Sequence, residues 1–246
     1  MPCFRWRSSW QWRPVWWHPR VRCLLCGATA EQAGLPLCPG CDDDLPWLAA
    51  HCTTCALPLP SPGLACGQCL RRAPAFHRVE TPLRYAFPAD ALITRFKHQS
   101  NAPLGRLLGQ LLARHLQHAF EDGLPRPDRL VPVPLSPQRE RQRGFNQAAL
   151  LADWLADPLG LPVDNRLLRR IQDTPAQQGL DAAARKRNLR HAFALAAGVD
   201  LEGQHLAVVD DVLTTGATAE RIARLLRRAG ARRVDVYCLA RTPAPD

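Results

Sequence analysis

Two groups of residues in this 246-residue chain have the types and spacing for chemistry. The first is Asp210-Asp211, adjacent carboxylates that follow the apolar run Leu206-Ala207-Val208-Val209 and precede Leu213-Thr214-Thr215-Gly216-Ala217-Thr218. A pair of aspartates where a buried strand ends lies at the carboxyl edge of a sheet, where open α/β folds bind ligands. The small loop after them offers backbone N–H groups, threonine hydroxyls and a helix N-terminus, a combination that suits a phosphate. It is neither a P-loop, whose lysine is missing, nor the spaced glycine triplet of a dinucleotide fold.

The second group is eight of the ten cysteines, in four Cys-x-x-Cys pairs: Cys23/Cys26, Cys38/Cys41, Cys52/Cys55 and Cys66/Cys69. Each pair presents two thiolates to one ion, and two pairs complete a tetrahedral Cys₄ zinc site. Gaps of 11, 10 and 10 residues favour neighbouring pairs, Cys23/Cys26 with Cys38/Cys41 and Cys52/Cys55 with Cys66/Cys69. A cross-braced pairing, first with third and second with fourth, stays open. With four protein ligands each, such sites are structural and leave no open position for catalysis. His51 is then a bystander, and Cys3 and Cys238 fall outside the pattern.

Leu206 to Val209 reads as a strand buried on both faces, as in a parallel sheet. The helix after the phosphate-friendly loop carries Ile222, Leu225, Leu226 and Ala229 on one face, with arginines late and Gly230 at its end. Upstream, Leu83, Tyr85 and Phe87 alternate as a strand, and Ala89 to Lys97 reads as a helix with Leu92 and Phe96 inward. A second helix runs from Pro103 to about His118 on the stripe Leu104, Leu107, Leu108, Leu111 and Leu112. In Leu130-Val131-Pro132-Val133-Pro134-Leu135 the strand should stop near Val131, because proline lacks the N–H donor. Arg139 to Gln147 reads as a basic loop entering a helix from about Gln147 to Ala156, with Asn146 as its N-cap. Leu167, Leu168 and Ile171 read as a short strand, Asp173 to Leu180 as a loop, and Ala182 to Asn188 as a helix capped by Asp181. Phe193 to Ala196 and the run through Val234, Val236 and Cys238 complete the strands, Cys238 in the core. This alternation predicts an α/β fold, a mostly parallel doubly wound sheet with helices on both faces.

Composition sets the frame. Hydrophobic content of 46% is globular, and no apolar run approaches the roughly 18 residues of a membrane span. Net charge is +10 and almost wholly arginine, with Lys97 and Lys186 the two lysines, so polyphosphate or nucleic acid partners fit. Residues 1–22 mix tryptophan and arginine without a continuous apolar stretch and read as a disordered tail, not a signal peptide. A reducing, cytoplasmic compartment follows, where such cysteine pairs bind metal. Residues 23–75 are the expected cysteine-rich module and 76–246 the expected α/β domain.

The string from Val208 to Thr218 resembles the phosphoribosyl-pyrophosphate (PRPP) signature of type I phosphoribosyltransferases: apolar strand, two acids, Thr-Thr-Gly-x-Thr. The wider order is similar to that of the ComF family over roughly residues 23–243. It comprises the four cysteine pairs, Leu130 to Leu135, Arg141 to Gln147, Thr174 to Leu180 with Arg185 and Arg187-Asn188, and the signature itself. The resemblance implies a type I phosphoribosyltransferase-like domain behind a double zinc ribbon. Asp210 and Asp211 would hold the ribose, and Leu213, Thr214, Thr215, Gly216, Ala217 and Thr218 the 5′-phosphate. The loop beginning at Val133 would meet the pyrophosphate, and Arg139 and Arg143 would supply charge to it as it leaves. The implied cofactors are two structural zinc ions and magnesium with PRPP. The implied reaction is displacement at ribose C1. Members are linked to natural transformation and to use of DNA as nutrient, which implies single-stranded DNA and competence-machinery proteins as partners. A non-catalytic module that senses PRPP or a nucleotide, and holds DNA or protein through its ribbons and arginines, is the alternative.

Overall fold

The computed structural model describes residues 21–30, 34–99, 101–171 and 192–244. The tryptophan-rich tail up to residue 20, the expected loop Asp173 to Leu180, and the expected helix with Arg185, Arg187 and Asn188 lie outside the described residues. A five-stranded, all-parallel sheet forms the centre. Its strands are β1 (Arg78–Glu80), β2 (Leu83–Arg84), β3 (Arg129–Pro132), β6 (His205–Leu213) and β7 (Arg233–Arg241). The spatial order is β1-β7-β6-β3, with β2 also pairing β7 beyond β1. A separate antiparallel pair joins β4 (Leu168–Arg170) to β5 (Phe193–Leu195).

Strand alternation divides the interior into two cores. Ala207 and Val209 of β6 and Tyr237 and Leu239 of β7 enter the first, with helices α3 (Ala89–Gln99), α4 (Ala102–Glu121) and α6 (Gln147–Leu159). Leu206 and Val208, and Val234, Val236 and Cys238, enter the second, with α7 (Ala217–Arg228) and the β4–β5 pair. Leu206 to Val209 are fully buried, and each such valine or leucine contributes roughly 1.5–3 kcal/mol. The sheet thus has helices on both faces, as the alternation predicts.

Pro132 closes β3 at no cost to the sheet. β3 is an outer strand, and Val133 N–H already reaches the Val209 carbonyl at 2.9 Å while Leu130 N–H turns outward to Pro162. At the amino-terminal edge, His205 Nε2 meets Asp235 at 2.9 Å and Arg233 Nε meets the same carboxylate at 3.0 Å. His205 and Asp235 are buried, so this pair fixes β6 against β7 far from the aspartate pair.

Three expectations change. The strand expected over Leu83, Tyr85 and Phe87 shrinks to Leu83–Arg84, and Phe87 is 80% exposed. The strand before the aspartates does not end there: β6 runs through them to Leu213, because β7 continues to pair with it as far as Arg241. The basic loop is partly a helix, α5 (Pro137–Arg143). Ser136 caps it, accepting from Arg139 N–H at 3.4 Å, Pro137 stands in its first turn, and Gly144 ends it at φ +79°.

The cysteine-bearing segment contributes two short helices, α1 (Pro39–Asp43) and α2 (Gly67–Arg71), and lies against the sheet edge. Leu48 N–H donates to Pro82, Arg84 N–H to Pro46, and Val79 N–H to Thr54, at 2.8, 2.8 and 2.9 Å. Asp42 also pairs with Arg114 of α4 at 3.2 Å, and that guanidinium lies over the Trp47 ring.

Candidate functional site: two tetracysteine centres and a carboxylate–loop cradle

Cys23, Cys26, Cys38 and Cys41 form one cluster, and Cys52, Cys55, Cys66 and Cys69 the other; the sulfurs of each lie within 4.8 Å of one another. Neighbouring pairs therefore share a site, and the cross-braced alternative is excluded. Tetrahedral zinc with bonds near 2.3 Å needs sulfurs about 3.8 Å apart. Cys26 and Cys38 sulfurs are 3.5 Å apart and those of Cys55 and Cys66 are 3.6 Å apart, so the donor sets fit zinc. In both sites the second pair opens a helix, with Cys38 and Cys66 as N-caps. Burial raises the Cys23 and Cys52 thiols, but surrounding backbone N–H donors outweigh it and draw each down to about 6. For Cys52 two of those donors are Cys55 and Cys66 N–H, at 3.5 and 3.2 Å from the sulfur. Cys41 and Cys69 are driven the other way by burial and by neighbouring sulfurs, the conflict that a bound cation relieves. His51 belongs to neither cluster.

At the carboxyl edge, Asp210 and Asp211 meet different surroundings. Asp211 Oδ1 receives Lys97 Nζ at 3.0 Å from α3, with both side chains mostly buried. Asp210 is the cross-strand partner of Cys238 and accepts Asp211 N–H at 2.8 Å. Burial, then the Asp211 charge, push Asp210 up to about 7, with Lys97 and Arg170 acting against them. One carboxylate thus carries a lysine partner, while its neighbour, without one, holds a proton near neutrality.

Beyond Leu213, Thr214 and Thr215 are exposed, and Gly216 turns the chain at φ +75° into α7. That left-handed geometry needs glycine. Gly216 gives α7 no side-chain cap, and among the described residues the first-turn N–H groups ahead of Glu220, apart from Ala217 with Thr215 Oγ1 at 3.4 Å, have no partner and suit an anion.

Of the other expected site residues, Arg139 and Arg143 are four apart on α5 and half-buried, whereas Arg141 is exposed. The helix therefore sorts three arginines that an extended loop would leave equivalent. Val133 is buried with both main-chain groups engaged, its N–H by Val209 and its carbonyl by Asn146 Nδ2 at 3.1 Å. Asn146 also caps α6 through Ala148 N–H at 3.0 Å, so one side chain ties the β3 exit to the helix after α5. Next to it Gln147 is buried, and its amide nitrogen lacks a partner among the described residues.

Lys97 is the residue that sequence reasoning left out. Its signal was its rarity, one of two lysines among 32 basic residues, on a helix whose apolar face was already read. Two clefts, about 520 and 420 Å³, open at the opposite, amino-terminal edge near Asp128 and Glu80. Neither is lined by the aspartate pair or the loop.

A parallel sheet with two carboxylates before an uncapped turn-to-helix loop, preceded by two tetracysteine knots, defines a type I phosphoribosyltransferase-fold protein with a double zinc ribbon. Residues 147–245 match the phosphoribosyl transferase domain family and residues 16–70 the double zinc ribbon domain family. The chain belongs to the ComF family. It is 38% identical over 221 residues to DNA utilization protein YhgH of Salmonella typhi, covering 89% of this chain and 96% of that protein. It is 35% identical over 222 residues to Competence protein F of Haemophilus influenzae, with the same coverage of 89% and 96%. A purine phosphoribosyltransferase from Pyrococcus horikoshii aligns at TM-score 0.34 and 20% identity over 55% of this chain and 70% of that one.

Proposed function

We propose that this chain binds PRPP at the Asp210–Asp211 pair and the Leu213–Thr218 loop, and transfers the phosphoribosyl group with release of pyrophosphate. The observation that carries this reading is the pair of unlike carboxylates, one neutralised by Lys97, directly before an uncapped helix N-terminus. Ribose hydroxyls donate to the carboxylates, and the 5′-phosphate takes the N–H groups and hydroxyls between Thr214 and Thr218. The acceptor's lone pair forms a bond to C1 as the C1–O bond breaks and pyrophosphate departs with the electron pair. Arg139 and Arg143, on one face of α5, stabilise the negative charge that grows there. Magnesium bound with PRPP near Asp210 and Asp211 would supply further positive charge to the diphosphate.

The names of the relatives place those proteins in DNA utilization and competence. By kinship we assign this chain to DNA uptake or nutrient use of DNA, with single-stranded DNA and competence proteins as partners. The net charge of +10 supports a polyanion, and thiols kept for metal suit the cytoplasm. No described helix is long and apolar enough to cross a membrane. The relatives' names also favour a second reading, because they speak of DNA and not of a transfer: a module that senses PRPP without turnover.

Calorimetry tests the site. Mg²⁺-dependent PRPP binding is expected, and joint Asp210→Asn and Asp211→Asn substitution should abolish it; binding that survives both discards the assignment. Pyrophosphate release that depends on an added base or oligonucleotide establishes the transferase, and binding without release across a broad acceptor panel selects the sensor.

A further inference from the structure

Arg241, at the end of β7, stands between the second tetracysteine site and the phosphate loop. Its Nε donates to the Cys55 carbonyl at 3.0 Å. Its Nη1 reaches the Leu213 carbonyl at 3.1 Å, the Thr242 carbonyl at 2.7 Å, and the Thr214 carbonyl. The side chain is buried, and a planar guanidinium presents its donors in fixed directions, so moving one acceptor misaligns the others. The Cys55 carbonyl belongs to the Cys52–Cys55 knuckle, whose shape is held by N–H bonds from Cys55 and Cys66 to the Cys52 sulfur.

A second tie reaches the far side of the loop. Ala75, a few residues beyond Cys69, donates its N–H to Glu220 Oε2 at 2.7 Å. Glu220 lies in the first turn of α7, and its own N–H closes on the Gly216 carbonyl at 2.8 Å. Both flanks of the loop, Leu213–Thr214 and Gly216–Glu220, are therefore moored to the chain around the second site. The first site is placed differently: among the described residues its segment's polar ties run to α4, from Gln110 to Gly34 at 3.1 Å and from Arg114 to Asp42 at 3.2 Å, and none runs to the phosphate loop.

We infer that Arg241 is a positioning residue that makes the phosphate loop's geometry depend on metal at Cys52, Cys55, Cys66 and Cys69, and not on metal at Cys23, Cys26, Cys38 and Cys41. Without an ion nothing gathers the four sulfurs around the knuckle, the Cys55 carbonyl shifts, and the Arg241 fork no longer registers Leu213 and Thr214. Coupling of this kind is reciprocal, so phosphate bound in the loop tightens the second site for zinc. For PRPP as ligand the inference rests on the function proposed above; for the loop itself it does not.

The test uses the full chain in four forms: wild type, Cys69→Ser, Cys41→Ser and Arg241→Lys. Cys69 and Cys41 are equivalent ligands of the two sites, and Cys69 is not itself a partner of Arg241. Metal analysis should give about two zinc ions for wild type and Arg241→Lys and about one for each cysteine variant. Hydrogen exchange without ligand should then show Thr214–Thr218 amides opening about tenfold faster in Cys69→Ser and Arg241→Lys, but not in Cys41→Ser. Protection of β6 and α4 amides in all four forms checks the fold. Arg241→Lys keeps both zinc ions and so tests the bridge even if Cys69→Ser fails to fold. PRPP affinity should fall about tenfold in the same two variants. Equal loop exchange in Cys41→Ser and Cys69→Ser, or exchange in Arg241→Lys that matches wild type, overturns the inference. A wild type that binds no PRPP while its loop follows the second zinc overturns the functional reading alone.

Discussion

Gly105 of α4 stands so close to Phe96 of α3 that a Cβ at this position would lie 2.5 Å from the phenyl ring and 2.8 Å from Trp154 of α6. The glycine lets three helices meet on one aromatic cluster, with Phe96 5.9 Å from Phe145 and 5.7 Å from Trp154 between ring centroids. Phe96 precedes Lys97, so this packing seats the lysine that reaches Asp211. Gly105→Ala forces the rings apart and should cost about 1–3 kcal/mol in urea denaturation. It should also weaken PRPP binding, although residue 105 touches no part of the cradle. An alanine variant of native stability would mean that the rings yield freely.

Lys97→Met keeps the length of the side chain and removes its charge. Asp211 and Asp210 are then two carboxylates without the lysine between them and solvent. Because the pair is mostly but not wholly buried, a loss of about 1–2 kcal/mol is expected, less than for a fully buried pair. PRPP affinity should fall about five- to tenfold, as expected when a positioning charge is lost. Calorimetry at fixed Mg²⁺ measures it, and an unchanged affinity would remove Lys97 from the site.

The raised Asp210 fixes the sign of two pH effects. Its folded value, about 7, lies above that of an unfolded carboxyl, so the native chain binds the extra proton between about 4 and 7. This group's contribution to stability is therefore present at acid pH and is lost as pH rises through that window. Ligand binding runs the opposite way, since an ionised carboxylate accepts from hydroxyls more strongly than a protonated one. PRPP affinity should climb between about pH 6 and 8 more steeply in wild type than in Asp210→Asn, where the phosphates of PRPP titrate alike. Parallel slopes would show that Asp210 is not the titrating group.

Helix α5 separates its arginines by face. Arg139→Ala and Arg143→Ala should each weaken inorganic pyrophosphate binding by about three- to tenfold, and Arg141→Ala by less than about twofold. The salt dependence of binding should shrink in the first two variants only. Equal effects at all three positions would mean that the segment acts as a diffuse charge and not as a helical face.

What could be read from sequence was local. Leu206 to Val209 announce a strand buried on both faces because four consecutive apolar residues leave no solvent side, and all four are fully buried. The cysteine pairs resolve into neighbouring sites because short gaps leave little chain to reach further. Helix α5 escaped because it is almost wholly polar and has no buried residue, so no apolar period marks it; Ser136, Pro137 and Gly144 are its punctuation. Lys97 on Asp211 and Arg241 on Cys55 escaped for a different reason. Each is a contact between residues far apart in the chain, 186 residues in the second case, and only the parallel crossover topology brings such partners together.

β7 sits between β1 and β6, yet it is the last of the described strands to leave the ribosome. Every earlier strand of the sheet except β3 pairs with it, so among the described strands β1 and β2 have no neighbour and β6 only one until β7 has been made. Apart from the β3–β6 pair, the sheet therefore closes in one event around its hub. Before that event the nascent chain carries open, apolar strand edges, the condition in which polypeptides aggregate or engage chaperones. Closure of the sheet is thus set by β7, and the second cysteine knot, made long before it, waits on Arg241 at the end of that strand.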